Sequence, residues 1–259
     1  WLEGVRRLYI VPHGILHYLP FAALPRTSER GVRFLAEEYV LANLPAATAL
    51  VHGKGAAEPR QNLLALAPAR ARLLYAESEA RGISQFFPRQ PMVLVGAQAT
   101  ESSFKKHAPD FGVIHLASHG FLNKLNPLFS GVELEADRNE DGRLQVFEIL
   151  RMRLHANLVT LSACDTALGS GYFADVPAGE DFVGLTRAFL FAGTPSVLAS
   201  LWEVNDQSTA ELMQGFYRHL AQTDKATALA MAQREMLRRG GRFAHPSFWA
   251  PFVLVGSMK

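Results

Sequence analysis

Gly112-Val-Ile-His-Leu-Ala-Ser-His-Gly120 and Asn157-Leu-Val-Thr-Leu-Ser-Ala-Cys-Asp165 are the two stretches that decide the fold. Each is a continuous apolar run closed by polar residues, and neither alternates. Continuous apolarity marks strands buried on both faces, as in a mainly parallel sheet covered by helices. Runs of the same kind recur, so strands are predicted at residues 8–11, 39–42, 63–67, 93–95, 113–117, 158–162, 197–201 and 252–255. Helical patterns fall between them, at 72–86, 101–107, 146–152, 182–192, 208–221 and 225–238. Ser208 with Glu211 reads as a capping box, and Gly240-Gly241 as the stop of the last helix. Alternating strands and helices predict an α/β layered fold with a mainly parallel central sheet and helices on both faces.

The 259 residues are 49% apolar and 19% charged, which excludes a disordered or collagen-like chain. No internal repeat or low-complexity linker divides them, so residues 1–259 are read as one domain. With 26 Lys+Arg against 24 Asp+Glu the formal charge is +2, too balanced to suggest a nucleic-acid or membrane-surface partner on charge alone. No apolar run approaches a membrane span. The opening Trp1–Arg7 shows no signal-peptide pattern, and a start at Trp1 suggests the C-terminal part of something longer. A single cysteine, Cys164, permits neither an intrachain disulfide nor a thiolate cluster, which fits a reducing, cytoplasmic setting.

Ligands of open α/β sheets bind outside the carboxyl ends of the strands, so His119 and Cys164 are expected on the same edge. Histidine titrates near neutral pH and can serve a cysteine nucleophile as general acid and base. Gly120 lets backbone approach a substrate closely, and its N–H with that of Cys164 could line an oxyanion hole. By residue type alone a lone cysteine is more often core than catalyst. Its place after a strand-end His-Gly, in the order His then Cys, weighs toward catalysis and toward the caspase arrangement over the papain one.

The chain resembles the CHAT family, a caspase-like domain found with tetratricopeptide repeats and related to separases in the caspase clan. The resemblance runs through Tyr9-Ile-Val-Pro-His-Gly-Ile-Leu-His-Tyr-Leu-Pro-Phe-Ala-Ala-Leu24, His115-Leu-Ala-Ser-His-Gly120 and Leu161-Ser-Ala-Cys-Asp-Thr-Ala-Leu-Gly169. It continues through Gly184-Leu-Thr-Arg-Ala-Phe-Leu-Phe-Ala-Gly193, Ser196-Val-Leu-Ala-Ser-Leu-Trp-Glu-Val-Asn-Asp206 and Phe248-Trp-Ala-Pro-Phe-Val-Leu-Val-Gly256. It implies a caspase-like fold and a cysteine endopeptidase with His119 as catalytic histidine and Cys164 as nucleophile. It also implies a protein substrate, control by an upstream helical-repeat or sensor region, and a role in prokaryotic defence or programmed death. The rival reading is a non-catalytic interaction or signalling module on the same fold.

The remaining candidates each carry a simpler alternative. His115 reads as a hydrogen-bonded packing residue, and His13 and His17 as structural. Many caspase-clan relatives read a charged side chain before the scissile bond. Asp165, or Glu180 and Asp181 at the end of the long loop 169–181, could therefore select a basic residue, or Asp181 could merely cap a helix. A small or apolar preference stays open. Trp202 could wall a substrate groove or lie in the core, and Asp206 reads as a cap. The stretch 137–148 matches the calcium-loop pattern through Asp137, Asn139, Asp141 and Glu148, but 131–135 reads as a strand where an entering helix belongs. An exposed turn at Asp141-Gly142 is the simpler reading. Arg234, Arg238, Arg239 and Arg242 suit the end of a helix. No cofactor is called for.

Overall fold

The computed structural model describes residues 2–28, 31–49, 61–89, 91–123, 125–162 and 180–259, with the side chains of 28 and 180–183 outside the description. The chain runs β1 (Arg7–Ile10), a hairpin of β2 (Pro25–Ser28) and β3 (Gly31–Phe34), α1 (Leu35–Glu38) and β4 (Val40–Asn43). It continues with β5 (Leu63–Ala67), α2 (Ala76–Ser84), β6 (Met92–Val95), α3 (Glu101–His107) and β7 (Val113–Ala117). Short strands β8 (Gly120–Phe121), β9 (Gly131–Glu133) and β10 (Arg143–Gln145) lead into α4 (Val146–Ile149) and β11 (Leu158–Ser162). The last part is α5 (Glu180–Phe191), β12 (Ser196–Ser200), α6 (Asp206–Leu220), α7 (Lys225–Arg239) and β13 (Phe252–Gly256).

All eight predicted strands lie in one sheet, ordered β1-β4-β13-β12-β11-β7-β5-β6. Every pairing is parallel except that of β12 with β13. Alternate residues of the central strands enter opposite apolar layers. Leu63, Ala65, Val113, Leu158 and Leu198 pack with α2, α6 and α7 through Ile83, Leu212, Phe216 and Leu229. Leu64, Leu66, Ile114, Val159 and Val197 pack with α3, α4 and α5 through Phe104, Ile149, Leu185 and Phe189. Burial of β5, β7, β11, β12 and β13 at every position explains why their sequences do not alternate.

Among the boundaries that differ from expectation, three helices stand out, two of them because a side chain takes a backbone group. The helix predicted from residue 72 begins at Ala76: Arg72 is left-handed at φ 51°, and the Tyr75 N–H donates to Asp206 Oδ2 at 2.7 Å. The helix predicted from Ser208 begins at Asp206, because Asn205 is the N-cap and its Oδ1 accepts the Ser208 N–H at 3.2 Å. Ser208 instead donates its hydroxyl to Asn205 O, and Glu211 pairs with Arg239, so no Ser208–Glu211 box forms. Residues 146–152 yield only the single turn α4, whose cap is the Gln145–Glu148 box. The last helix stops at Gly240, at φ 72°, as predicted.

Candidate active site

The parallel register fixes where the two strand ends fall. β7 and β11 pair Val113 with Leu158 through to Ala117 with Ser162, and the Ser118 N–H extends the ladder by donating to Ser162 O at 3.1 Å. His119 therefore follows an aligned pair by two residues, as Cys164 does on the neighbouring strand. Cys164 and Asp165 themselves lie outside the described residues, and so does the Cys164 half of the oxyanion pair.

His119 is half-buried, and two strand systems hold its backbone. Its carbonyl accepts the Glu133 N–H at 2.9 Å, and Gly120 pairs with Val132 in the small antiparallel sheet β10-β9-β8. The Ser118 hydroxyl donates to the Glu133 carbonyl. That sheet is close-packed: a Cβ on Gly131 would stand 2.2 Å from Leu144 O, so only glycine fits there.

β7 also borders β5, and the chain leaves these two neighbours toward opposite faces, from β5 to α2 on one side and from β7 to β8 and α4 on the other. Such divergence opens a crevice at the carboxyl edge, the usual ligand position in an open parallel sheet. Asp206, which sequence reasoning assigned to capping, stands here. Asn205 does the capping, and the half-buried Asp206 carboxylate ties down the loop after β5 by accepting the Tyr75 N–H. Burial pushes its pKa up, and the Glu79 carboxylate adds to the rise. The backbone N–H groups of Tyr75 and Leu74 oppose it, and so does His119, which is near enough to be felt by charge.

Beneath this edge lies a buried polar network that residue patterns did not show. His115 is fully buried on β7, with Nε2 2.8 Å from Glu79 Oε1 on α2 and Nδ1 3.1 Å from the Tyr217 hydroxyl on α6. The Ser162 hydroxyl donates to the same Glu79 oxygen at 2.5 Å, and the Tyr217 hydroxyl donates to Thr160 Oγ1 at 2.8 Å. His115 is thus a hydrogen-bonded packing histidine, as its sequence context suggested. The signal for the network was available: His115, Thr160 and Ser162 are polar residues inside strands otherwise apolar on both faces.

The other candidates are placed as follows. Trp202 is half-buried, packs against both apolar layers and donates Nε1–H to Ser247 O at 3.3 Å. Glu180 and Asp181 are the first two residues of α5, so Asp181 lies inside that helix rather than before it. The calcium-loop residues do not converge. Asp137 Oδ1 takes the Ser102 hydroxyl and the N–H groups of Asn139 and Glu140, and Asp141 Oδ1 takes the Arg143 N–H. Glu148 turns to a different group, in which Lys105 Nζ meets Glu101, Glu140 and Glu148 at 2.7, 2.8 and 2.7 Å. Among the described residues this is the one set of three acids with oxygens close enough to share a cation, and an ammonium fills it. Burial works against the Lys105 charge, but its hydrogen bonds to the three carboxylates hold its pKa above the ordinary lysine range.

Residues 2–257 match the CHAT domain. The chain belongs to the CHAT domain family. Two curated relatives of this CHAT chain are the Tetratricopeptide repeat protein 28 sequences of mouse and human, 27% and 26% identical over 97% of the chain. The chain spans 12% of either relative's length. Among solved structures, Saccharomyces cerevisiae separase, in its complex with securin, superposes with a TM-score of 0.61 at 15% identity, over 93% of this chain and 14% of its own. The Arg-specific cysteine proteinase gingipain R superposes with a TM-score of 0.62 at 9% identity, over 99% of this chain and 64% of its own. The caspase-like fold expected from the sequence is the fold found. Among the described residues no helix is long and apolar enough to cross a membrane.

Proposed function

We propose that this CHAT chain is a single caspase-like cysteine endopeptidase domain of a longer protein, cleaving a protein partner through His119 and Cys164. The observation that carries the reading is the register of β7 and β11, which starts both candidates from one aligned pair at the carboxyl edge. In the reaction, the Cys164 thiolate attacks the scissile carbonyl carbon and forms a C–S bond, while the Gly120 and Cys164 amides hold the oxyanion. His119 gives its proton to the leaving amine as the C–N bond breaks. It then takes a proton from water, whose hydroxide attacks the thioester, and the thiolate leaves. Asp206 brings a carboxylate to the same edge, which favours a basic residue before the scissile bond; Asp165, Glu180 and Asp181 are further acids for that role. A helical-repeat region, as the relatives' names suggest, fits the part of the protein that governs access.

The sole cysteine makes the nucleophile directly testable. Alkylation by iodoacetamide at neutral pH reports Cys164 alone, and a thiol served by a histidine reacts far faster than an ordinary one. His119→Ala is expected to slow alkylation by about tenfold or more, and Cys164→Ala to abolish cleavage of a panel of peptides with Arg, Lys or Ala before the scissile bond. Equal alkylation rates in wild type and His119→Ala would sink the dyad. Cleavage that survives Cys164→Ala would sink the mechanism, and peptide binding without turnover would favour an interaction module.

A further inference from the structure

The amino-terminal edge of the sheet, opposite His119, holds a cavity of ≈ 490 Å³ that the proposed reaction does not use. Phe86, Phe87, Val113, Leu158 and Leu220 give it an apolar wall. Into this wall is set a buried lysine. Lys225, the first residue of α7, is 2% exposed, and its Nζ donates to Asn157 O and Asn157 Oδ1, both at 3.0 Å. Both acceptors are neutral, and among the described residues no carboxylate comes within ion-pair distance of Nζ. Asp224, the one acid among the described residues that line the cavity, is taken up by Arg7 and by the N–H and hydroxyl of Thr227. Exposed Arg89 adds a second cation to the lining.

A buried ammonium without a counter-ion is costly, and buried charges are ordinarily paired. Tying Asn157 to α7 requires only a donor, which a neutral side chain could supply. The charge is explained if an anion completes the site. The volume falls in the range of small-molecule pockets, which are mostly apolar with a few fixed polar groups. Lys225 is the one buried cation among the described lining residues, Arg89 and Lys259 being exposed to solvent, which suits a monoanion better than a phosphate dianion. We propose that the cavity binds a small organic carboxylate, its charged end on Lys225 Nζ and its apolar or aromatic body against Phe86, Phe87 and Leu220.

Proton linkage gives the proposal a second handle. Burial holds the Lys225 pKa down to about 8, opposed by the nearby Asp224 charge. The other charged or titratable groups around it are Arg89, Lys259 and Tyr217, whose buried phenol stays protonated well above that range. A bound carboxylate favours the ammonium, so binding takes up protons near pH 8 and weakens as pH rises beyond it.

The test is titration calorimetry of the intact chain with 2-naphthoate, and with 2-naphthamide as its neutral isostere. Saturable naphthoate binding is expected, with proton uptake seen by comparing buffers of different ionisation enthalpy. Lys225→Met, checked for folding by circular dichroism, is expected to bind at least about tenfold more weakly, the worth of one charge-assisted hydrogen bond. Arg89→Ala, at an exposed position, is expected to fold normally and bind several-fold more weakly. Absence of saturable binding, equal binding of naphthoate and naphthamide, or no proton uptake near pH 8 would each overturn the proposal. None of these readouts depends on peptidase activity.

Discussion

Removing the Glu79 carboxylate should be among the most damaging single changes outside the apolar core. Glu79 Oε1 accepts the Ser162 hydroxyl and faces His115 Nε2, and all three residues are at most 2% exposed. Glu79→Ala strands two buried polar groups in a site closed to water. Leaving a buried polar group without its partner costs about 1–3 kcal/mol, so two of them cost about 2–6 kcal/mol, against a domain stability of roughly 5–15 kcal/mol. Ser162→Ala removes one hydrogen bond and should cost about 1 kcal/mol. Replacing both Glu79 and His115 by apolar groups leaves only the Ser162 hydroxyl without its partner, so Glu79→Leu with His115→Phe should recover part of the loss. Urea denaturation followed by tryptophan fluorescence measures each variant and the coupling between them. A Glu79→Ala cost below about 1 kcal/mol, or a double variant no more stable than the single, would show that the network is not what holds α2 to β7 and β11.

Three further outcomes follow from individual contacts. Lys105→Met empties the centre of the Glu101–Glu140–Glu148 group; the variant should be less stable and should gain a Ca²⁺-dependent thermal shift at roughly millimolar concentrations that the wild type lacks. Gly131→Ala puts a Cβ 2.2 Å from Leu144 O and should cost about 1–3 kcal/mol in a melt by forcing β9 from β10. Asp206 has a raised pKa, chiefly from burial, so the folded state holds its proton to higher pH than the unfolded state does. Wild type therefore loses stability as pH rises through this carboxylate's titration, and Asp206→Asn should gain on it between about pH 4 and 7 in paired denaturation curves; a gap that narrows over that range contradicts the assignment.

Five of the eight main strands, β5, β7, β11, β12 and β13, were legible because double-sided burial leaves a signal in composition alone. Leu63–Ala67, Val113–Ala117 and Leu158–Ser162 have no polar face to confuse them with anything else, and their limits match the predicted ones. The small strands were not. Gly120–Phe121 and Arg143–Gln145 are too short for periodicity, and they exist because Gly131 lets β9 approach them closely. Helix starts were misread where the nominal cap was not the capping residue. Asn205-Asp206 offers two good caps in succession, and only tertiary contact with Tyr75 decides that Asn205 caps while Asp206 faces the crevice. The calcium-like spacing failed for a similar reason. It records ligand types in order, whereas Asp137 and Asp141 spend their oxygens on local turns, and Lys105 already stands among Glu148 and its acidic neighbours.

A formal charge of +2 conceals an arrangement that composition could not express. β7 and β11 run parallel, so groups before them and groups after them are sorted to opposite edges. Asp206 stands at the carboxyl edge with Glu79 close enough to raise its pKa, while Lys225 and Arg89 line the cavity at the amino edge. One residue touches both systems: Tyr217 lines the cavity and also bonds Thr160 and meets His115. The net charge does not express this sorting of individual charges to two edges. Each edge can favour its own class of ligand, cationic at one end and anionic at the other, without the chain as a whole attracting either.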